Sequence, residues 1–138
     1  MKLALQNHIL IALTAVLLSG CSQQPAEQSV VVTAANETAA IARLRAIAAA
    51  EAQYQVQALG EYGTLDQLIQ KRYVNDPASG KLTGYRFEVQ VRPGGFQATA
   101  VPEKFGVTGK RSFYLDETNV LHGSDKKGAP ATAADPET

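Results

Sequence analysis

The chain has 138 residues, of which 45% are hydrophobic, and its 13 basic and 13 acidic side chains give a net charge of zero. This length suffices for one modest domain with a single core. The zero net charge leaves no electrostatic case for nucleic acid or an anionic membrane surface as partner, and the one cysteine excludes an internal disulfide.

A signal peptide is predicted over residues 1–20. Lys2 supplies its positive charge, and residues 9–18 form an apolar stretch of about ten residues. A permanent membrane-spanning helix needs about 20 apolar residues, so this stretch is too short to be one. The pattern therefore predicts export of the chain, with removal of the leader.

The leader ends in Leu18-Ser19-Gly20-Cys21, a leucine three positions before a cysteine with two small residues between them. This sequence resembles the lipobox, the signal of bacterial lipoproteins. The resemblance implies a diacylglycerol thioether on Cys21, cleavage before it and acylation of its amino group, and two or more acyl chains anchor a protein stably. An ordinary signal peptide that ends near a cysteine is the alternative. In bacteria with two membranes, a residue other than aspartate in the position of Ser22 is associated with the outer membrane.

Both ends of the mature chain have the composition of flexible segments. Residues 22–32 are rich in Gln, Ser, Pro and Ala, which predicts a flexible tether over residues 21–32 behind the lipid anchor. The apolar Val30-Val31-Val32 at its end is the exception, for which local packing or an extension of the helix is the alternative. Residues 124–138 hold Lys, Gly, Pro, Ala and Asp with no large apolar side chain, which predicts a disordered tail. Lys126 and Lys127 are then solvated tail residues. A domain is predicted between these segments, over residues 33–123.

A long amphipathic helix is predicted over residues 36–59. At about 100° per residue, the apolar side chains share one stripe; its members are Ala40, Ile41, Leu44, Ile47, Ala48, Tyr54, Ala58 and Leu59. Asn36 is the expected cap and Gly60 the expected terminator. A second, short helix follows, because Thr64 and Gln67 form a capping-box pair before an apolar face of Leu65, Leu68 and Ile69.

Beyond turn residues 75–80 the apolar period changes from 3.6 to 2, which predicts strands. The first is predicted over residues 85–91 and the second over 96–101, joined by a tight turn at Pro93-Gly94 and stopped by Pro102. Two shorter strands are predicted over 112–115 and 120–122, separated by a turn over 116–119. The fold class is therefore α+β, with a long N-terminal amphipathic helix packed on a three- to four-stranded antiparallel sheet that is polar on its other side.

Four segments, residues 41–47, 50–54, 84–87 and 108–117, resemble the globular domain of type IV pilin-like proteins, including type II secretion pseudopilins. The resemblance covers about 85 residues and implies a pilin-like fold. Prepilins carry a cleavage site of the Gly-Phe-Thr-Leu-Ile-Glu kind and a long apolar stalk, and neither is present here. A lipid-tethered domain without that stalk is not expected to polymerise as a pilin does.

No catalytic, cofactor-binding or metal-binding constellation is predicted. Glu51 falls inside the apolar stripe and needs a partner, for which Arg111 or a backbone amide is expected, with a binding role as the alternative. Asp116 and Glu117 supply too few oxygens for calcium and are expected to be solvated turn residues. His122 stands alone, which excludes a zinc site or a histidine-based nucleophile relay.

Two functions remain open from the sequence. The first is a non-enzymatic envelope lipoprotein that makes protein–protein contacts, as an accessory to a secretion or pilus system. The second is a small-ligand-binding lipoprotein that uses the sheet face or the glycine-rich loops near Tyr62, Tyr73 and Tyr85. Nucleic acid is not expected as a partner, because the basic residues Arg86, Arg92, Lys110 and Arg111 are not interleaved with aromatic ones.

Overall fold

The fold is α+β, as the sequence predicts. A computed structural model describes residues 25–76 and 84–138. Within those residues the elements are α1 (Pro25–Gln57), α2 (Leu65–Gln70), β1 (Tyr85–Arg92), β2 (Gly95–Pro102), β3 (Ser112–Asp116) and β4 (Leu121–Ser124). The predicted signal peptide, Cys21 and most of the predicted turn at residues 75–80 lie outside the described residues.

The start of α1 differs from the prediction. Within the described residues, α1 runs from Pro25, eleven residues before the predicted cap at Asn36. The predicted cap at Asn36 is wrong, because Asn36 lies inside the helix and its side-chain amide donates a 2.9 Å hydrogen bond to the carbonyl oxygen of Thr108. The predicted flexible tether is therefore helical from Pro25 onward.

The end of α1 also differs in detail. Leu59 has a left-handed backbone (φ +56°) and is 97% exposed, so its predicted place on the buried stripe is wrong. The Gly60 N–H donates a 2.9 Å hydrogen bond to the carbonyl oxygen of Gln55, which is the bond a Schellman motif places at this point. The left-handed position that usually takes glycine is thus occupied by Leu59, and Gly60 follows it.

The capping box of α2 is confirmed. The Thr64 hydroxyl accepts a hydrogen bond from the Gln67 N–H, and the Gln67 side chain accepts one from the Thr64 N–H at 2.8 Å. Leu68 is fully buried, whereas Leu65 and Ile69 are half-buried. The short helix therefore contributes one anchor to the core.

The strands are antiparallel neighbours in chain order, β1-β2-β3-β4, across the described residues. Pro93 and Gly94 form the predicted tight turn between β1 and β2, with Gly94 in the left-handed region (φ +76°) that glycine adopts without strain. In the register of the sheet, Val89 of β1 lies opposite Ala98 of β2, and Ala98 lies opposite Leu115 of β3. β4 begins one residue later than predicted and extends to Ser124.

The core lies between α1 and the middle of the sheet. Leu44, Ile47 and Phe113 are fully buried there. The other members of the cluster are Ala40, Ala50, Leu68, Tyr85, Phe96, Ala98, Ala100, Leu115 and Leu121. Because the alanines of α1 and β2 carry only a methyl group, the helix approaches the sheet closely, and the larger side chains fill the space on either side.

The outer side of the sheet carries mostly polar side chains, as predicted, but its central strands are largely shielded from water. β3 is buried at every position, and Val101 of β2 is only 4% exposed. On this side Tyr114 packs edge-on against His122, with ring centroids 6.1 Å apart. The polar side of the sheet is therefore partly covered at its central strands.

The predicted disorder of residues 124–138 is wrong. The chain end runs back along β4: the Gly123 N–H donates to the carbonyl oxygen of Pro136, and the Thr138 N–H donates to that of Leu121. Asp135 accepts hydrogen bonds from Ser124 and Thr132 and forms a 3.1 Å ion pair with Lys126. These bonds lower the pKa of Asp135, the Ser124 hydroxyl contributing most. The tail thus belongs to the domain although it offers almost no apolar surface.

Candidate binding site

The candidate site is a recess of ≈ 530 Å³ between the second half of α1 and the turn ends of β2 and β3. We call it the α1–sheet recess. Its walls are formed by Arg45, Ala48, Ala49, Ala52, Gln55, Tyr62, Phe96, Asp116, Glu117 and Asn119. Three alanines of α1 line one side, and their small side chains leave the space that the recess occupies.

An aromatic pair forms the apolar part of the recess. The rings of Tyr62 and Phe96 are tilted by 40°, with their centroids 5.4 Å apart, a separation typical of favourable aromatic contacts. Phe96 is 2% exposed, whereas Tyr62 is half-buried. A fixed aromatic wall with one accessible ring can therefore contact an apolar group from outside.

A network of charges lies beside this aromatic wall. Arg92 donates two hydrogen bonds to the carboxylate of Glu117, at 2.9 and 3.0 Å, and lies 3.6 Å from Asp116. Glu117 also accepts a hydrogen bond from the Phe96 N–H at 3.2 Å. The acidic side of the recess is thus tied to the aromatic wall, and both are held in place before any ligand arrives.

Asp116 is not the solvated turn residue that the sequence predicts. It lies in β3, is 8% exposed, and accepts hydrogen bonds from the hydroxyls of Tyr114 and Thr118 and from the Thr118 N–H. Burial by itself raises the pKa of Asp116, but these hydrogen bonds and the nearby Arg92 outweigh burial and lower it. Asp116 therefore remains a carboxylate in the recess at neutral pH.

Glu51 lies under the loop that carries Tyr62. It is fully buried, and its Oε2 accepts a 2.8 Å hydrogen bond from the Gly63 N–H. Within the described part of the chain, its Oε1 has no hydrogen-bond partner. Burial raises the pKa of Glu51, and the hydrogen bond from Gly63 opposes that rise only in part. The expected backbone amide partner is confirmed, whereas the expected partner Arg111 is wrong.

Arg111 binds Glu37 at the other end of the molecule. Its Nε donates a 2.9 Å hydrogen bond to Glu37, which also accepts hydrogen bonds from the N–H groups of Lys110 and Arg111. Burial by itself raises the pKa of Glu37, but these bonds together lower it. We call this arrangement the Glu37 clasp, since it fastens the β2–β3 loop to α1.

The three tyrosines singled out by the sequence do not share a site. Tyr62 lines the α1–sheet recess, whereas Tyr85 packs against Phe113 and donates a 2.7 Å hydrogen bond to the carbonyl oxygen of Arg111. Burial raises the pKa of Tyr85, and the negative charge of Glu37 adds to the rise. Tyr73 packs against the core. Only Tyr62 is therefore available to the recess.

The remaining candidates have structural roles. Nδ1 of His122 lies 2.7 Å from the carbonyl oxygen of Asp135. The N–H of Lys127 donates to the Asp125 side chain, within the ordered tail.

In residues 25–76 and 84–138, no group of three or more His, Cys, Asp or Glu side chains could hold a metal ion. No helix in this part of the chain is both long and apolar enough to cross a bilayer.

Sequence reasoning missed the recess as a unit. Its lining residues come from α1, the loop before α2, β2, the end of β3 and the β3–β4 turn. None of the local patterns indicates that these segments meet. Comparison of the chain with family models, curated proteins and solved structures finds no match.

Proposed function

We propose that this protein is a non-enzymatic lipoprotein of the cell envelope, anchored by acyl chains on Cys21, whose domain holds a protein partner in the α1–sheet recess. The observation that carries the partner-binding part is the preorganised Tyr62–Phe96 wall beside the Arg92–Glu117 pair. Protein interfaces combine an aromatic centre with a polar rim, and Tyr and Arg are enriched at their most energetic points.

The proposal includes a pilin-like domain and a role as an accessory to a secretion or pilus system. One long helix followed by four antiparallel strands in chain order, across the described residues, supports it. The recess would then hold a segment of another envelope protein. Acylation follows from the lipobox-like Leu18-Ser19-Gly20-Cys21, and Ser22 favours the outer membrane.

Replacing Cys21 with serine is expected to abolish acylation and release the protein from the membrane fraction, because the thiol is the attachment point. Metabolic labelling with an alkyne fatty acid, followed by fractionation, measures both effects. The matched control is Ser22→Asp, which keeps the label and changes only the membrane in which the protein is found. Equal labelling of wild type and Cys21→Ser would contradict the proposed anchor.

A photo-crosslinking amino acid at Ala49 is expected to capture an envelope protein in living cells, because Ala49 is exposed and lines the recess. The matched control is Ala42, which is also exposed on α1 but does not line the recess, and lies two turns, or about 10 Å, away along the helix. Immunoblotting and mass spectrometry identify the adducts. Adducts of equal yield at both positions, or none at Ala49, would count against the recess as the contact surface.

A small-ligand function is the alternative, and the volume of the recess favours it, since ligand pockets commonly measure about 300–1,000 Å³. Thermal-shift measurements with sugars, peptides and metal salts separate the two functions. A shift with a sugar or metal, abolished by Tyr62→Ala, would favour the ligand over the protein partner.

A further inference from the structure

Three valines near the start of α1 are exposed to solvent. Val30, Val31 and Val32 are 64%, 68% and 52% exposed. Because successive residues of a helix are about 100° apart around its axis, the side chains of three in a row spread over about 200° of the helix surface. Thr33 is the next residue and is 8% exposed, with its hydroxyl 3.4 Å from the carbonyl oxygen of Val107. The helix thus projects beyond the domain with an apolar turn facing solvent on several sides.

The β2–β3 loop adds further apolar surface at the same end. Phe105 is 42% exposed and Val107 is 61% exposed. A recess of ≈ 350 Å³ joins loop and helix, with Val30 and Ala34 on one side and Gly106 and Lys110 on the other. We define the apolar end as Val30, Val31, Val32, Phe105 and Val107.

On α1, the stretch around the three valines carries a single charged side chain. In residues 29–42 the only charged side chain is Glu37, and it is paired with Arg111 in the Glu37 clasp. The second half of α1 differs, since it carries the exposed Arg45. Glu27 precedes this stretch on α1, and Lys104 and Lys110 flank the loop side chains. Charged groups at these positions can stay at the level of the lipid headgroups while the valines and the loop side chains contact the acyl chains.

Chain length places the apolar end beside the anchor. Three residues separate Cys21 from Pro25, so even a fully extended chain keeps the start of α1 within about 14 Å of the acylated cysteine. Val30 lies five residues further, or about 7.5 Å along the helix axis. Interfacial helices lie with their apolar side about 5–10 Å deep at the boundary between headgroups and acyl chains.

We infer that the apolar end rests in the interfacial layer of the bilayer that holds the acyl chains of Cys21. The inference rests on the proposed acylation. The lipid would cover the valines and the loop side chains, and the α1–sheet recess would remain in water. Contact of the apolar end with the bilayer fixes the orientation of the domain. Acyl chains attached through a short tether hold the domain near the membrane but do not orient it.

The chain has no tryptophan, so a single tryptophan reports on one position. Val31→Trp and Val107→Trp place it at the apolar end, and Val56→Trp is the matched control. Val56 is 83% exposed on the same helix but about 38 Å further along it. The acylated full chain is reconstituted in phosphatidylcholine vesicles with and without lipids brominated near the headgroup end of their acyl chains.

Tryptophan at positions 31 and 107 is expected to emit at shorter wavelength and lose most of its emission to the brominated lipid, while position 56 keeps the spectrum of an exposed residue. If mass spectrometry shows acylated Cys21 but positions 31 and 107 behave like position 56, the inference fails and the anchor stands. If Cys21 carries no lipid, the proposed anchor fails as well. A blue shift that disappears when protein is diluted in the vesicles would overturn the inference in favour of self-association.

Discussion

Replacing Leu44 with alanine is expected to lower the free energy of unfolding by about 2–5 kcal/mol. Leu44 is fully buried on α1 and belongs to the core cluster that includes Ala98 and Ala100 of β2. The loss of stability has two parts. The three carbon atoms removed from the side chain are no longer transferred from water to the core on folding, and a cavity remains in their place. The sheet is hydrogen-bonded on both sides of β2, so the backbone has little freedom to close that cavity.

Urea unfolding followed by circular dichroism measures the change, and Leu59→Ala is the matched control. It removes the same atoms from the end of the same helix, where Leu59 is 97% exposed. The control is expected to change stability by no more than about 0.5 kcal/mol. Similar losses for the two variants would mean that Leu44 does not face the core, and the packing of α1 on the sheet would have to be revised.

Replacing Glu37 with alanine is expected to cost about 2–3 kcal/mol at pH 7. The change leaves the N–H groups of Lys110 and Arg111 without their acceptor and removes the partner of the Arg111 guanidinium. That guanidinium is 40% exposed, so the ion pair itself is partly screened by water. Arg111 also donates to Thr138, so the chain end should loosen too.

The stability lost in Glu37→Ala is expected to decrease as the pH falls. The pKa of Glu37 is lower in the folded protein than in the unfolded chain, so its carboxylate contributes stability above the unfolded pKa, near about 4.3. That contribution disappears as pH falls through the folded pKa. The difference between wild type and Glu37→Ala should therefore shrink below about pH 4, whereas Glu88→Ala, at an exposed position of β1, should cost little at any pH. A difference that stays constant down to pH 3 would contradict the clasp.

Glu51 and Glu37 show which contacts of a side chain can be predicted from the sequence and which cannot. The period of α1 correctly predicts that Glu51 faces the core, because position on a helical wheel depends only on the number of residues between side chains. It does not predict that Gly63 is the partner, or that Arg111 is held by Glu37, 74 positions away in the chain. Such partners depend on how the loops close over the helix.

The errors at the two ends of the domain have a related cause. Composition predicts a coil before residue 33 and disorder after residue 124, since neither segment offers a sustained apolar pattern. The helix instead begins at Pro25, and the tail is held by Asp135 through hydrogen bonds to Ser124, Lys126 and Thr132. Order that rests on hydrogen bonds to a particular neighbour leaves no periodic signal in the sequence.

The amino-acid sequence by itself determined the local elements: the β1–β2 hairpin around Pro93 and Gly94, the capping box at Thr64 and the inward side of α1. Each of these follows from interactions between residues that are close along the chain. Only the tertiary structure decided that Tyr62, Phe96 and Glu117 line one recess, and that the valines at positions 30–32 stay exposed near the N-terminal end of α1. The physical reason is that a surface depends on which distant segments meet, and that is decided by the packing of the whole domain.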